Sequence, residues 1–332
     1  MSARPQVVVV GSVMQDLIFS GEVLPAAGQT VIARMTRGQG GKGSNQAIAC
    51  GRSGVPTLFL GATGRDAFAD AVEEFYRRDR IGCRLVRKPG VTSGTAVVML
   101  DRRGQNQIVI EPGANARFRP ADIDGKLLSG VQVVVTQMEC DPATTAHALK
   151  IARRGGATTV LNPAPMRADF DPALLRHVDV LIPNESEFVA LVQAVLRVRR
   201  FDEPTLHKLT PPALHALCRR LGVPTVIVTM GAKGSFISGP DHYAALPAYR
   251  GLKVVDTTGA GDAFCGGFAA GLVRYRGNIL QAAQLGTAVA ALSITKPGAA
   301  AAMPTQAELR RFLTRNRAPR RGGVTQARAA AR

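Results

Sequence analysis

Residues 254–267 read VVDTTGAGDAFCGG. Two apolar residues run into an aspartate and two threonines, a glycine-rich turn follows, and a second aspartate opens an alanine- and glycine-rich segment. A turn of Gly259, Ala260 and Gly261 at a helix start leaves several N–H groups without intrahelical acceptors. The helix dipole adds positive potential there, so the turn suits an anion, above all one gaining charge in a transition state. Asp262 falls in the first turn, where an aspartate is also a common capping residue. Capping and chemistry both fit, and the rest of the chain has to decide.

The 332 residues suffice for one large α/β domain, or a domain with an appended lid. With 46% hydrophobic and 20% charged residues, the composition is that of a globular protein. No apolar run approaches the roughly 20 residues that a bilayer needs, and the opening MSARPQVVVVGS has no signal-peptide pattern. A cytoplasmic location is expected. The five scattered cysteines include no CxxC pair, which points to free thiols in a reducing compartment rather than a zinc site.

A net charge of +18 raises the question of anionic partners. Part of it lies in residues 315–332, RNRAPRRGGVTQARAAAR, which carry no acid and are expected to form a disordered basic tail. No nucleic-acid-binding module is recognisable, whereas an anionic substrate also favours a basic cleft.

Continuous β-branched runs recur at QVVVV, TLFLGA, VQVVVTQ, TTVLN, VDVLIPN and TVIVTMG, the signature of strands covered on both faces. Helical patterns such as DAFADAVEEFYRR, DPATTAHALKIARR and PPALHALCRR lie between many of them. The alternation predicts an α/β fold, a Rossmann-like, doubly wound, mostly parallel sheet with ligands beyond the C-terminal strand ends. Residues 16–37 and 92–114 break the rhythm with strand-like runs lacking crossover helices, and predict a small second sheet acting as a lid on a domain of residues 1–314. The basic, Pro-bounded stretch 194–212 reads as a surface excursion.

The segment GQGGKGSNQA (residues 38–47) matches GxGxxG, but it does not follow the first strand of a βαβ unit, so a dinucleotide site is not expected. Its glycines instead suggest close approach of a polar ligand in a loop before the helix SNQAIACGRSG, with Lys42 and Asn45 as donors. No Walker A motif exists. Beside an anion hole, Asp262 can take the proton of a hydroxyl attacking a γ-phosphate. That hydroxyl is far more basic than a carboxylate of pKa about 3.9, so the transfer comes late, as a loose phosphoryl-transfer transition state allows. In PNESE, Asn184 and Glu187 stand three residues apart at a helix start, suited either to magnesium-bound water or to mutual capping. Asp16 and Glu139 follow strands, where polar residues meet ligands.

Together and in this order, these segments resemble the ribokinase branch of the PfkB carbohydrate kinase family. GQGGKGSNQA resembles its first signature and DTTGAGDAF its second, with NPAP (162–165), PNESE and TMGAKGS (229–235) similarly placed; the resemblance spans about residues 7–304. It implies ATP-dependent phosphorylation of a sugar hydroxyl, first of all D-ribose to D-ribose 5-phosphate, with Mg2+ and with K+ as activator. Alternatives are another pentose, a ketohexose, a deoxy sugar acid or a nucleoside as acceptor, or an inactive relative that binds a sugar phosphate. The lid implies a homodimer.

By the same resemblance Asp262 is the general base, and Gly259, Ala260 and Gly261 are the anion hole. Asp16, Gly41, Lys42, Asn45 and Glu139 contact the sugar. Asn184, Thr229, Gly231 and Gly261 line the nucleotide site, and Glu187 lies near magnesium. Potassium falls to Asp256, Thr258, Ser293, Lys296 and Gly298, mostly through carbonyls. Two positions depart from the family. Met14 stands in GSVMQD where an Asn usually bonds the sugar, so Gln15 compensates or the substrate lacks that hydroxyl. Ala302 replaces a frequent serine ligand of the potassium site.

Overall fold

The computed structural model describes residues 4–103, 105–316 and 325–326. The first half of the chain forms β1 (Val7–Val10), β2 (Met14–Ser20), β3 (Arg34–Gly40), α1 (Lys42–Arg52), β4 (Thr57–Thr63), α2 (Ala67–Arg78), β5 (Gly82–Arg87), β6 (Gly94–Leu100), β7 (Asn106–Glu111), β8 (Val133–Thr136), α3 (Pro142–Arg154) and β9 (Thr158–Leu161). The second half forms β10 (Val180–Leu181), α4 (Glu185–Leu196), α5 (Glu203–Lys208), α6 (Pro211–Arg220), β11 (Thr225–Thr229), β12 (Ser235–Ser238), β13 (His242–Leu246), α7 (Ala260–Arg274), α8 (Ile279–Ser293), α9 (Gln306–Arg315) and β14 (Thr325–Gln326).

The larger sheet has the order β14-β13-β12-β11-β10-β9-β8-β1-β4-β5, parallel from β11 through β5 and antiparallel at the β11–β14 end. β1 illustrates why its strands read as unbroken apolar runs. Val7 and Val9 pack into a core shared with α1, α7 and α8, while Val8 and Val10 pack into another that includes Ala148 and Ala152 of α3. From β1 the chain winds outward one way through β4 and β5 and later the other way through β8, β9 and β10. The β1/β8 gap is therefore a topological switch point, where α/β sheets bind ligands.

A separate four-stranded sheet, β3-β2-β6-β7, stands apart from the large one. Its β2–β3 and β6–β7 pairs are antiparallel, but its central β2–β6 pair is parallel. Met35, Ile108, Val109 and Ile110 leave apolar surface of this sheet exposed.

Three expectations need correction. The glycine-rich segment is not a loop: Gly38 and Gly40 end β3, and α1 starts at Lys42, two residues before SNQA. Its glycines serve backbone packing as well as any ligand. Gly41 adopts φ 87°, and a Cβ at Gly43 would lie 2.7 Å from the Gly11 carbonyl carbon and the Ser12 nitrogen. Residues 194–212 are not merely a surface excursion. Phe201 and Leu206 are buried, and Phe201 meets Phe188 of α4 edge-on at 6.4 Å between ring centroids. Lastly, Thr325 and Gln326 of the basic end segment pair with β13; residues 317–324 and 327–332, which make up most of that segment, lie outside the described residues.

Candidate active site

Helix α7 opens on Gly259, whose φ of 74° is left-handed and whose absent Cβ would press on Ala299 at 3.0 Å. Of the three turn residues, Ala260 donates its N–H to Thr257 O at 3.1 Å. The N–H groups of Gly259 and Gly261 find no acceptor among the described residues. A Cβ on Gly261 would point into open space.

The next residue of that first turn, Asp262, is buried and its carboxylate is held at both ends. Asn45 Nδ2 donates to Oδ2 at 2.9 Å, and Gln46 Nε2 donates to Oδ1 at 2.9 Å. α1 packs closely on α7, which is why two amides from residues 45–46 reach a carboxylate more than 200 positions away. Burial raises the pKa of Asp262, and the Lys42 charge with the two amide donors opposes that rise. Asn45 Oδ1 is buried without a partner among the described residues, an acceptor left for a ligand.

Lys42, at the first position of α1, has no hydrogen bond to its ammonium among the described residues. Burial opposes its charge, but Asp262, Glu139 and Glu187 outweigh this and raise its pKa. Glu139, beyond β8, bridges the switch point: its carboxylate accepts from the Ser12 hydroxyl after β1 and from Lys42 N–H at 2.8 Å. Ser12 in turn accepts from Gly43 N–H at 3.3 Å. Asp16 sits in β2 above Gly38 and Gly40, where a Cβ on Gly40 would strike its carboxylate. Burial, with Glu139 nearby, pushes its pKa up to about 6. No group among the described residues donates to it. Met14, 4% exposed, lies two residues before Asp16 on the same face of β2. Gln15 points to the opposite face.

Asn184 and Glu187 form a reciprocal cap on α4. Asn184 N–H donates to Glu187 Oε2 at 2.9 Å and Glu187 N–H donates to Asn184 Oδ1 at 2.8 Å. Glu187 is buried, which raises its pKa, and it still senses Lys42 and Asp262. Asn184 bridges to Thr229, and both, with Gly231, border a cavity of about 820 Å³. Leu252, Val254 and Phe264 give this cavity apolar wall, and Ala260 and Gly261, which directly precede Asp262, also line it. A mostly apolar slot bordered by the free N–H of Gly261 suits a nucleotide with its phosphates toward α7.

Asp256, Thr258 and Gly298 converge on one loop pair. Asp256 accepts from Thr258 N–H and Oγ1 at 2.8 and 2.6 Å and from Gly298 N–H at 2.8 Å. Ser293 and Lys296 share the adjoining turn, with Lys296 N–H donating to Ser293 O at 3.2 Å. The Lys296 ammonium turns away to Glu308 at 2.6 Å. Ala302 is fully buried.

Sequence reasoning missed Gln46, Ser12 and the β13–α7 connection that walls the cavity. Nothing local singles out Gln46, which follows Ser44 and another amide, Asn45, in the run SNQAIAC.

Residues 4–306 match the family model described as "pfkB family carbohydrate kinase". The deoxyribokinase of Salmonella typhimurium is 33% identical over 317 residues, covering 93% of this chain and 99% of that protein. The bifunctional ribokinase/ribose-5-phosphate isomerase A of Fructilactobacillus sanfranciscensis is 32% identical over 306 residues; 91% of this chain aligns with 55% of that longer protein. Arabidopsis thaliana ribokinase complexed with ribose and ATP superimposes with a TM-score of 0.81 at 30% identity, covering 94% and 99% of the two chains. Among the described residues, no helix is long and apolar enough to cross a membrane. A phosphate-ready helix start, a buried carboxylate beside it and a match along nearly the whole chain agree: this chain belongs to the pfkB family of ATP-dependent carbohydrate kinases.

Proposed function

We propose that the chain transfers the γ-phosphoryl group of ATP to the 5-hydroxyl of a pentose, D-ribose giving D-ribose 5-phosphate. One observation carries this reading: Asp262, fixed on both oxygens by amides, lies one residue from the open N–H of Gly261, which lines the cavity of about 820 Å³. In the reaction Asp262 takes the hydroxyl proton as the sugar oxygen bonds the γ-phosphorus, and the bond to the β-phosphate oxygen breaks to release ADP. Gly259 and Gly261 donate N–H groups to the phosphate oxygens, Ala260 contributing shape rather than a free donor. Asp16 and Glu139 accept from sugar hydroxyls, Lys42 and Asn45 donate, and Gly41 lets the backbone approach. ATP occupies the cavity against Asn184, Thr229 and Gly231.

Glu187 keeps lone pairs beyond its capping bonds and faces Lys42 and Asp262, which suits a water held by Mg2+; the metal supplies charge neutralisation on the phosphates. By the family resemblance, Asp256, Thr258, Ser293, Lys296 and Gly298 would hold K+, mostly through backbone carbonyls, and a bound ion there would order the loop preceding Gly259, which the Gly298 N–H bond to Asp256 at 2.8 Å already ties to its neighbour. The four-stranded sheet, built from residues 14–40 and 94–111 rather than the expected 16–37 and 92–114, serves as the lid of a single 1–314 kinase domain, and its exposed apolar strands form a homodimer interface. Five free cysteines support a reducing, cytoplasmic setting.

A specific observation favours a second acceptor, 2-deoxy-D-ribose. Met14 places a buried thioether beside Asp16 where the family resemblance calls for an amide, so a hydroxyl facing it has no partner. A deoxyribokinase also stands among the similar proteins. ADP release by the purified protein with ribose, 2-deoxyribose, fructose and nucleosides tests both readings. Pentose-dependent turnover is expected. Preference for a nucleoside or a hexose would overturn the pentose assignment, and tight sugar binding without turnover would make the chain an inactive relative.

A further inference from the structure

The Asp262–Asn45 contact belongs to the machinery already described, but the second donor, Gln46, touches no ligand space. Gln46 is fully buried, and each of its amide atoms is committed. Its Nε2 donates to Asp262 Oδ1 at 2.9 Å and to Asn162 Oδ1 at 3.2 Å, and its Oε1 accepts from Gln137 Nε2 at 2.7 Å. Asn162 is itself pinned, because its Nδ2 donates to the Ile182 main-chain carbonyl at 2.8 Å. A carbonyl only accepts, so Asn162 must turn its nitrogen to Ile182 and its oxygen to Gln46. That oxygen in turn requires the nitrogen of Gln46, and the same nitrogen faces Asp262. The main chain beyond β10 thereby dictates which end of a glutamine on α1 meets a carboxylate on α7.

We propose that Gln46 is a positioning residue for Asp262, oriented by the amide train Ile182–Asn162–Gln46 and braced by Gln137, so that the carboxylate meets an N–H donor and never a carbonyl. This rests on the reading of Asp262 as general base. A reversed amide would set Gln46 Oε1 against Asp262 Oδ1, oxygen against oxygen, and would push the carboxylate toward its protonated, inactive form. With the train intact, both oxygens are anchored and the free lone pairs point where Asn45 and Gln46 do not. The other charged or titratable groups acting on Asp262 are Lys42 from α1, Glu139 beyond β8, Glu187 from α4 and Cys265 on α7 itself. None replaces a donor on Oδ1.

The test is the pH dependence of kcat at saturating sugar and ATP, for Gln46→Met and Asn162→Leu beside the unmodified protein. Hydrogen bonds to the ionised form lower a carboxyl pKa, so losing this one moves the acid limb of kcat upward by about one unit. With Gln46→Met, kcat at pH 7 falls on the order of tenfold while the KM for ATP stays within about twofold. Asn162→Leu, which does not touch Asp262, moves the limb the same way by a smaller amount. An unshifted limb in both variants, whatever the loss of kcat, would reduce Gln46 to a packing residue and overturn the proposal. Asp262→Asn run in parallel separates the two levels. If that variant keeps its turnover, the base assignment fails; if it is inactive while both amide variants keep the unmodified profile, only the positioning role fails.

Discussion

Replacing Asp16 by asparagine should stabilise the protein and weaken its grip on sugar, with both effects governed by pH. Asp16 is half-buried, accepts no hydrogen bond from the described residues and lies near Glu139, and its pKa is pushed up to about 6 from 3.8. A raised carboxyl pKa means that the native state binds more protons than the unfolded chain between those values. Stability from this group is therefore full below about pH 3.8 and lost as pH rises through about 6. Above pH 6 the ionised side chain costs the native state about 2–3 kcal/mol, at 1.36 kcal/mol per unit. Asparagine carries no charge and escapes that cost. At pH 7.5 the Asp16→Asn variant should melt about 3–4 °C higher, a gain that shrinks toward zero by pH 4. Its KM for sugar should rise on the order of 100-fold, because charge-assisted bonds from hydroxyls are lost. In the unmodified protein the sugar KM should climb as pH falls below 6, while the ATP KM should not follow. Differential scanning calorimetry at pH 4 and 7.5 with initial-rate kinetics reads all of this. A variant less stable at pH 7.5, or one with unchanged sugar KM, would refute the argument that the site holds an unpaired carboxylate for its substrate.

Two further substitutions separate ligand space from protein packing. Gly261→Ala places a methyl where nothing lies within 4 Å. Helix stability should hold or improve by about 0.5–1 kcal/mol, while kcat drops on the order of tenfold or more as the methyl crowds the phosphate; activity close to normal would remove Gly261 from the anion hole. Met14→Asn returns an amide to the buried position beside Asp16, and the ratio of kcat/KM for ribose over 2-deoxyribose should rise about tenfold or more. An unchanged ratio would show that Met14 does not read that hydroxyl.

Much of the fold was legible because its determinants are local. Runs such as QVVVV and TVIVT are apolar on both faces, and the large sheet is covered on both faces. The two-sheet division followed from strand-like runs without helices between them. What could not be read was the purpose of residues satisfying two constraints at once. Gly43 looked like room for a ligand, yet its bare Cα first lets α1 cross the β1–β2 turn. PNESE suited magnesium-bound water or a cap; the structure forms the cap, a role that leaves Glu187 lone pairs to spare. Phe201 and Leu206 hid in a stretch whose arginines and prolines suggested surface. Gln46 was invisible for a different reason: its partners Gln137, Asn162 and Asp262 lie 91, 116 and 216 residues away, and no local pattern encodes that meeting.

The most direct measurement is single-turnover phosphoryl transfer by Asp262→Asn, with pentose and ATP saturating. Asparagine keeps the shape of the side chain but cannot take the hydroxyl proton. The rate should fall by 10²-fold or more, with the KM for ATP little changed. Transfer within a few-fold of the unmodified rate would contradict the assignment of Asp262 as the base.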